Sequence, residues 1–205
     1  MSNTQYELLY FPARGRGEQI RLLFACAQVP FKNTGVTDWA ALKAKMPLGQ
    51  LPVLIEHSEA GELHIPQSGA IMRHLARTFG LYGDNEREAT MADVLAETVS
   101  DARSKFFPVL FAGLYGTSAD AIEKYWSGVS LTLSVFDKLL AQSFSRESGL
   151  FVGTKPTFAD VAAFDLLWEH KAAKPECLAE FPALLNFLHC FAALPGVAEY
   201  LSHRS

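Results

Sequence analysis

The chain lacks most of the features that would mark it as secreted, metal-bound, membrane-spanning or nucleic-acid-binding. Only three cysteines occur in 205 residues: Cys26, Cys177 and Cys190. They lie far apart with no C-x-x-C pair, which excludes a dense disulfide framework and a cysteine-based metal site, and leaves free thiols in a reducing compartment. No apolar run approaches the ~20 residues a membrane span needs. The start, Met1–Tyr6, has neither the basic residues nor the apolar core of a signal peptide. The 18 basic residues face 22 acidic ones for a net charge of −4, and they are spread along the chain rather than gathered into a nucleic-acid footprint. The expectation is a cytosolic protein that engages neither membrane nor nucleic acid and holds no metal.

What is present is an ordinary globular composition, 49% hydrophobic and 20% charged, long enough for one large domain or two small ones. From Gln5 to about Thr78, strand-like and helical runs alternate. Tyr6–Tyr10 reads as a strand closed by Pro12 and a glycine-bearing turn. Ile20, Leu23, Phe24 and Ala27 give Gln19–Ala27 one apolar helical face. Val29–Val36 is a second strand candidate, and Leu51–Ile55 and Leu63–Ile65 flank a hairpin connection at Ser58–Gly61. Ser68–Phe79 returns to helical spacing. This order implies a small mixed sheet with helices packed on it. Beyond residues 79–85 the strand signals stop. Helical patterns cover Asn85–Leu110 and Ala119–Leu140, and Pro182–Ala193 and Val197–Leu201 form short terminal helices. Thr157 opens another helix, with Asp160 placed to complete a capping box, although the box prefers Glu or Gln there.

Three stations carry chemistry. The first is Tyr10-Phe-Pro-Ala-Arg-Gly-Arg16. A tyrosine at a strand end, followed by a turn into a helix, puts its hydroxyl at the strand's carboxyl edge, where helix N–H groups converge and ligands of α/β sheets bind. Alone, such a tyrosine is a half-buried core aromatic. The second is Gly49-Gln-Leu-Pro52, where a proline opening a strand belongs at a turn or edge. The third is Pro66-Gln-Ser68, where Ser68 is placed to cap a helix whose N-terminus also suits a carboxylate. Trp39 and Lys43, four residues apart, share one helical face.

In this order and spacing, over nearly the whole chain, these stations resemble cytosolic glutathione transferases of the tyrosine type, in the pi, mu and sigma classes. The resemblance implies an α/β thioredoxin-like domain over residues 1–82 and an all-α domain over 86–205 that contributes a hydrophobic substrate site. It implies glutathione as co-substrate, with Tyr10 catalytic through a hydrogen bond to the sulfur. Arg16 would add positive potential, and a cis Pro52 would follow a Leu51 whose main chain pairs with the cysteinyl unit. Gln50 would lie near the glycyl end, with Trp39 and Lys43 at the glycyl carboxylate. Gln67 and Ser68 would hold the γ-glutamyl carboxylate, and Asp101 would reach the γ-glutamyl ammonium of a neighbouring subunit in a homodimer. Phe11, Ala13, Phe107 and Phe111 would line the electrophile pocket.

Departures narrow the activity. Phe111 stands where pi-class chains carry a tyrosine. Phe107-Pro108 resembles the sigma class, which includes prostaglandin D synthase, but Val109 replaces the tryptophan expected next. Leu48 stands where pi-class chains insert an aromatic key into the partner. The main expectation is conjugation of glutathione to hydrophobic electrophiles, a detoxifying reaction. The alternatives are a sigma-type isomerase and a non-catalytic ligand-binding relative.

Overall fold

A computed structural model of the chain describes residues 4–143 and 148–204. They fall into two compact units: one reaches to Leu81 and also takes the segment from Pro195 onward, and the other spans Tyr82–Leu194.

The first unit is built on a four-stranded sheet of order β2-β1-β3-β4. Its strands are β1 (Gln5–Tyr10), β2 (Lys32–Gly35), β3 (Val53–Ser58) and β4 (Gly61–Pro66). β1 pairs parallel with β2 and antiparallel with β3, and Ser58 opposite Gly61 closes the expected hairpin between β3 and β4. Side chains alternate across the pleat, so β1 serves two cores. Leu9 joins Val36, Met46, Val53 and Ile55 on one face, against Trp39, Leu42 and Leu51. Tyr6 faces the other way, toward Phe24 of α1 (Gly15–Ala27) and Phe79 of α3 (Ser68–Phe79), with ring centroids 5.5 and 5.6 Å away. A short α2 (Trp39–Lys43) links β2 to β3. The chain's last helix, α9 (Pro195–His203), lies on α1, and Gly196 meets the Ala25 carbonyl so closely that a Cβ there would collide with it.

The second unit is helical: α4 (Glu86–Leu110), a short α5 (Ala112–Tyr115), α6 (Ala119–Ala141), α7 (Phe158–Ala173) and α8 (Pro182–Ala192). α7 is buried from Phe158 to Leu167, with Phe164 stacked on Phe191 of α8 at 5.0 Å. A buried ion pair, Arg103 to Asp165 at 2.8 Å, ties α4 to α7. No single helix among the described residues is long and apolar enough to cross a membrane.

Three elements depart from their sequence expectation. α1 starts at Gly15 rather than Gln19, because its first turns bury Gly17, Glu18 and Gln19, which an apolar-periodicity reading passes over. β2 is shorter than Val29–Val36, because the chain before it is spent closing α1. Gln28 turns left-handed (φ 54°), Val29 N–H returns to the Phe24 carbonyl, and Phe31 stacks on Phe24 at 4.3 Å. β3 begins at Val53 and leaves Leu51-Pro52 as irregular chain before the strand.

Candidate active site

Tyr10 ends β1 only 8% exposed. Its hydroxyl oxygen accepts a hydrogen bond from the Arg16 backbone N–H at 2.9 Å. That N–H belongs to the first turn of α1, where N–H groups have no partner inside the helix. The helix is preceded by Arg14, which makes no side-chain cap. Two glycines make the approach possible. A Cβ on Gly15 (φ 45°) would sit 2.5 Å from the Tyr10 hydroxyl oxygen, and one on Gly17 would sit 2.5 Å from the ring. Both glycines were missed as site residues; their signal is the Gly-Arg-Gly run that begins α1.

Beside this turn lies a cavity of about 610 Å³. Phe11, Arg16 and Trp39 line it, as do Gln50, Leu51, Pro52, Gln67 and Ser68. Tyr10 does not line it; its neighbours Phe11 and Arg16 do. Phe11 meets Tyr10 and Trp39 edge-on, at 5.5 and 5.7 Å. The Leu51–Pro52 peptide bond is cis. Ser68 was expected as a cap, but Gln67 occupies that position, with φ 71° and no side-chain cap, and Ser68 is the first, buried residue of α3. The Gln67 amide donates instead to Gln50 Oε1 at 3.4 Å. The start of α3 therefore offers N–H groups and the positive end of the helix dipole to the cavity wall.

Two other expected residues of the first unit line different hollows. Lys43 shares the α2 helix with Trp39 but lines a hollow of about 440 Å³ with Ala40, Ala44, Met46 and Gly49. Ala13 lines a different cavity, of about 540 Å³, and its carbonyl accepts from Arg21 at 3.0 Å. In the second unit, Asp101 is exposed on α4, whereas Phe107 is buried and meets the half-buried Phe111 edge-on at 5.4 Å. Among the described residues no three His, Cys, Asp or Glu side chains are grouped to hold a metal ion.

Comparisons with known proteins agree with one another. The model of the glutathione S-transferase N-terminal domain matches residues 6–77, and that of the C-terminal domain matches residues 100–204. Glutathione S-transferase 2 of Onchocerca volvulus is 36% identical over 203 residues, covering 97% of this chain and 93% of the relative. Human glutathione S-transferase P is 34% identical over 201 residues, covering 96% and 91%. A solved pi-class glutathione S-transferase of Onchocerca volvulus superposes with a TM-score of 0.85 at 35% identity, over 98% of this chain and 93% of that one. The chain belongs to the glutathione S-transferase family.

Proposed function

We propose that the protein conjugates glutathione, as its thiolate, to hydrophobic electrophiles, and that Tyr10 holds the sulfur in that form. The observation that carries the reading is the Arg16 N–H bond to the Tyr10 oxygen beside the 610 Å³ cavity. The accepted hydrogen bond fixes the phenol oxygen at the helix start, and the phenol O–H is the group proposed to donate to the sulfur. A free thiol with a pKa near ~8.5 is only a few per cent ionised at neutral pH. Donation to the sulfur stabilises the charged form. A drop of about two units needs roughly 2.7 kcal/mol, within reach of a charge-assisted hydrogen bond plus local positive potential. The thiol proton leaves to solvent. The sulfur then forms a bond to the electrophilic carbon as the leaving group departs.

The donor set fits a tripeptide with two carboxylates. The uncapped start of α3 at Gln67 and Ser68 suits the γ-glutamyl carboxylate, and the main chain of Leu51 suits the cysteinyl amide. Gln50, Trp39 and Lys43 serve the glycyl end; from the neighbouring hollow, Lys43 has a flexible stem with which to reach it. Residues 1–82 form the glutathione-binding domain. Phe11 and Ala13, and within residues 86–205 Phe107 and Phe111, are the side chains proposed to receive the electrophile. The working form is a cytosolic homodimer in which Asp101 serves the neighbouring subunit and the exposed Leu48 is a small anchor.

The test is aryl-halide conjugation by wild type and Tyr10→Phe, with titration of bound glutathione by thiolate absorbance. The variant is expected to bind glutathione but to need a higher pH to ionise it. An unchanged thiolate pKa refutes the role of Tyr10. Binding without turnover of any electrophile by the wild type favours the carrier reading, and turnover confined to isomerisation favours the sigma-type one.

A further inference from the structure

The first unit buries a charged network that the reading above does not use. Glu18 is only 1% exposed on α1. Its carboxylate accepts from Arg21 Nη1 at 3.1 Å, from the Tyr200 hydroxyl at 3.0 and 3.1 Å, and from Arg204 Nη1 at 2.9 Å. Tyr200 lies on α9 and Arg204 follows it, so the last helix is anchored by charge as well as by the close seat at Gly196. Burial, and then the Glu18 charge, push the Tyr200 phenol above its ordinary pKa, which keeps it a donor.

Arg21 carries the network to the site. Its guanidinium donates to the Ala13 carbonyl at 3.0 Å, the Phe11 carbonyl at 3.4 Å and Asn33 Oδ1 at 3.1 Å. Two of these acceptors belong to the loop that leaves Tyr10. The guanidinium carbon also lies 5.7 Å from the Tyr10 ring centroid, inside the range at which a cation and an aromatic face attract. One cation thus holds the loop after Tyr10 and sits over the ring whose hydroxyl faces the helix start. Positive charge at that distance draws electron density from the phenol and strengthens it as a donor.

We infer that Arg21 is a positioning residue for Tyr10, locked over it by Glu18 and, through Glu18, by Tyr200 of the C-terminal helix and Arg204 just beyond it. The inference rests on the role given to Tyr10 above. A purely structural network would set stability alone. A positioning network also sets the ionisation of bound glutathione, and it does so only while the Tyr10 hydroxyl is present.

The test measures the pKa of bound glutathione by thiolate absorbance, with the glutathione KM and Tm, in full-length Arg21→Met, Tyr10→Phe and the double variant. Arg21→Met leaves Glu18 paired with Arg204 and Tyr200, so the variant is expected to fold. The thiolate pKa should rise by about half a unit to one unit, or roughly three- to ten-fold less thiolate below the pKa. The same change in the Tyr10→Phe background should add nothing. Tyr200→Phe, which removes one hydroxyl far from the loop, should move the pKa the same way by less, because the freed Glu18 draws Arg21 from the loop carbonyls; it carries the test should Arg21→Met fail to fold. A lowered Tm with the thiolate pKa and KM unmoved overturns the inference, as does an Arg21→Met effect that persists undiminished without the Tyr10 hydroxyl. If Tyr10→Phe alone leaves the pKa unmoved, the role of Tyr10 falls, and this inference with it. If Tyr10→Phe raises the pKa and neither network variant does, only the inference falls.

Discussion

The long helices of the two units begin in different ways. In the second unit, α4, α6 and α7 each start on a side chain that accepts a backbone N–H: Asn85 from Glu88, Ser118 from Ala121 and Thr157 from Asp160. In the first unit, the residues before α1 and α3, Arg14 and Gln67, supply no such acceptor. The α1 start gives an N–H to Tyr10 instead, and the α3 start borders the 610 Å³ cavity. Capping contributes typically about 1 kcal/mol, so its omission at α1 and α3 leaves backbone donors open beside the cavity at a cost in stability. The division holds for these five helices and not for every one: the short α2 is capped by Asp38, and α8 starts after Phe181 with no side-chain cap.

The contrast can be broken from either side, and the largest effect is expected at the most elaborate cap. Asp160 is fully buried and accepts from Thr157 N–H, Thr157 Oγ and Phe151 N–H at 2.9, 2.6 and 2.8 Å. Asp160→Ala strands these donors and should cost about 4 kcal/mol in denaturant unfolding. The folded fraction should keep the thiolate pKa of wild type.

A smaller effect follows from His170, whose Nδ1–H donates to the Leu166 carbonyl and whose Nε2 accepts from the Tyr125 hydroxyl, both at 2.7 Å. Burial, with Arg103's charge a lesser cause, pushes its pKa down to about 4. The unfolded chain, titrating near ~6.5, then binds the extra proton first, so the stabilising contribution is complete above that value and is lost as pH falls toward 4. The loss is on the order of 3 kcal/mol across the window. Asp160, pushed up to about 6 by burial, acts with the opposite sign from about 6 down to about 4. It is common to wild type and His170→Gln, so the difference between their stability-against-pH curves isolates the imidazole. A difference that stays flat from pH 7 to 4 would dismiss the effect.

The smallest change in stability comes from giving the first unit a carboxylate at its open helix. Gln67→Asp places a negative charge at the start of α3 and should stabilise the fold by about 0.5 kcal/mol through the helix dipole. It should also raise the KM for glutathione about ten-fold by competing for the same positive end. Stability and binding moving in opposite directions is the signature of a helix start kept for ligand; a KM that does not rise refutes it.

Local chemistry was legible in the sequence, and distant chemistry was not. Thr157 and Asp160 lie three residues apart, and their reciprocal cap forms despite the shorter Asp side chain. Arg16, Trp39, Gln50 to Pro52, Gln67 and Ser68 form a set in the sequence only through the family resemblance, and they line one cavity. The start of α1 was not readable, because its first turns bury polar residues and periodicity detects only apolar ones. The glycines under Tyr10 give no sign of what they contact. The partners of Glu18 were beyond reach, since nothing near residue 18 announces Tyr200 or Arg204.

That last separation has a consequence for how the molecule is made. Glu18 waits 182 residues for Tyr200 and 186 for Arg204. During vectorial synthesis the sheet and its first three helices emerge early, with Arg21 already supplied with its acceptors, while the Glu18 carboxylate still lacks Tyr200 and Arg204. Closure of so long a loop is entropically expensive and comes late. The first unit to leave the ribosome is therefore the last to be completed, and it is finished by residues that arrive only after the whole helical unit has been made.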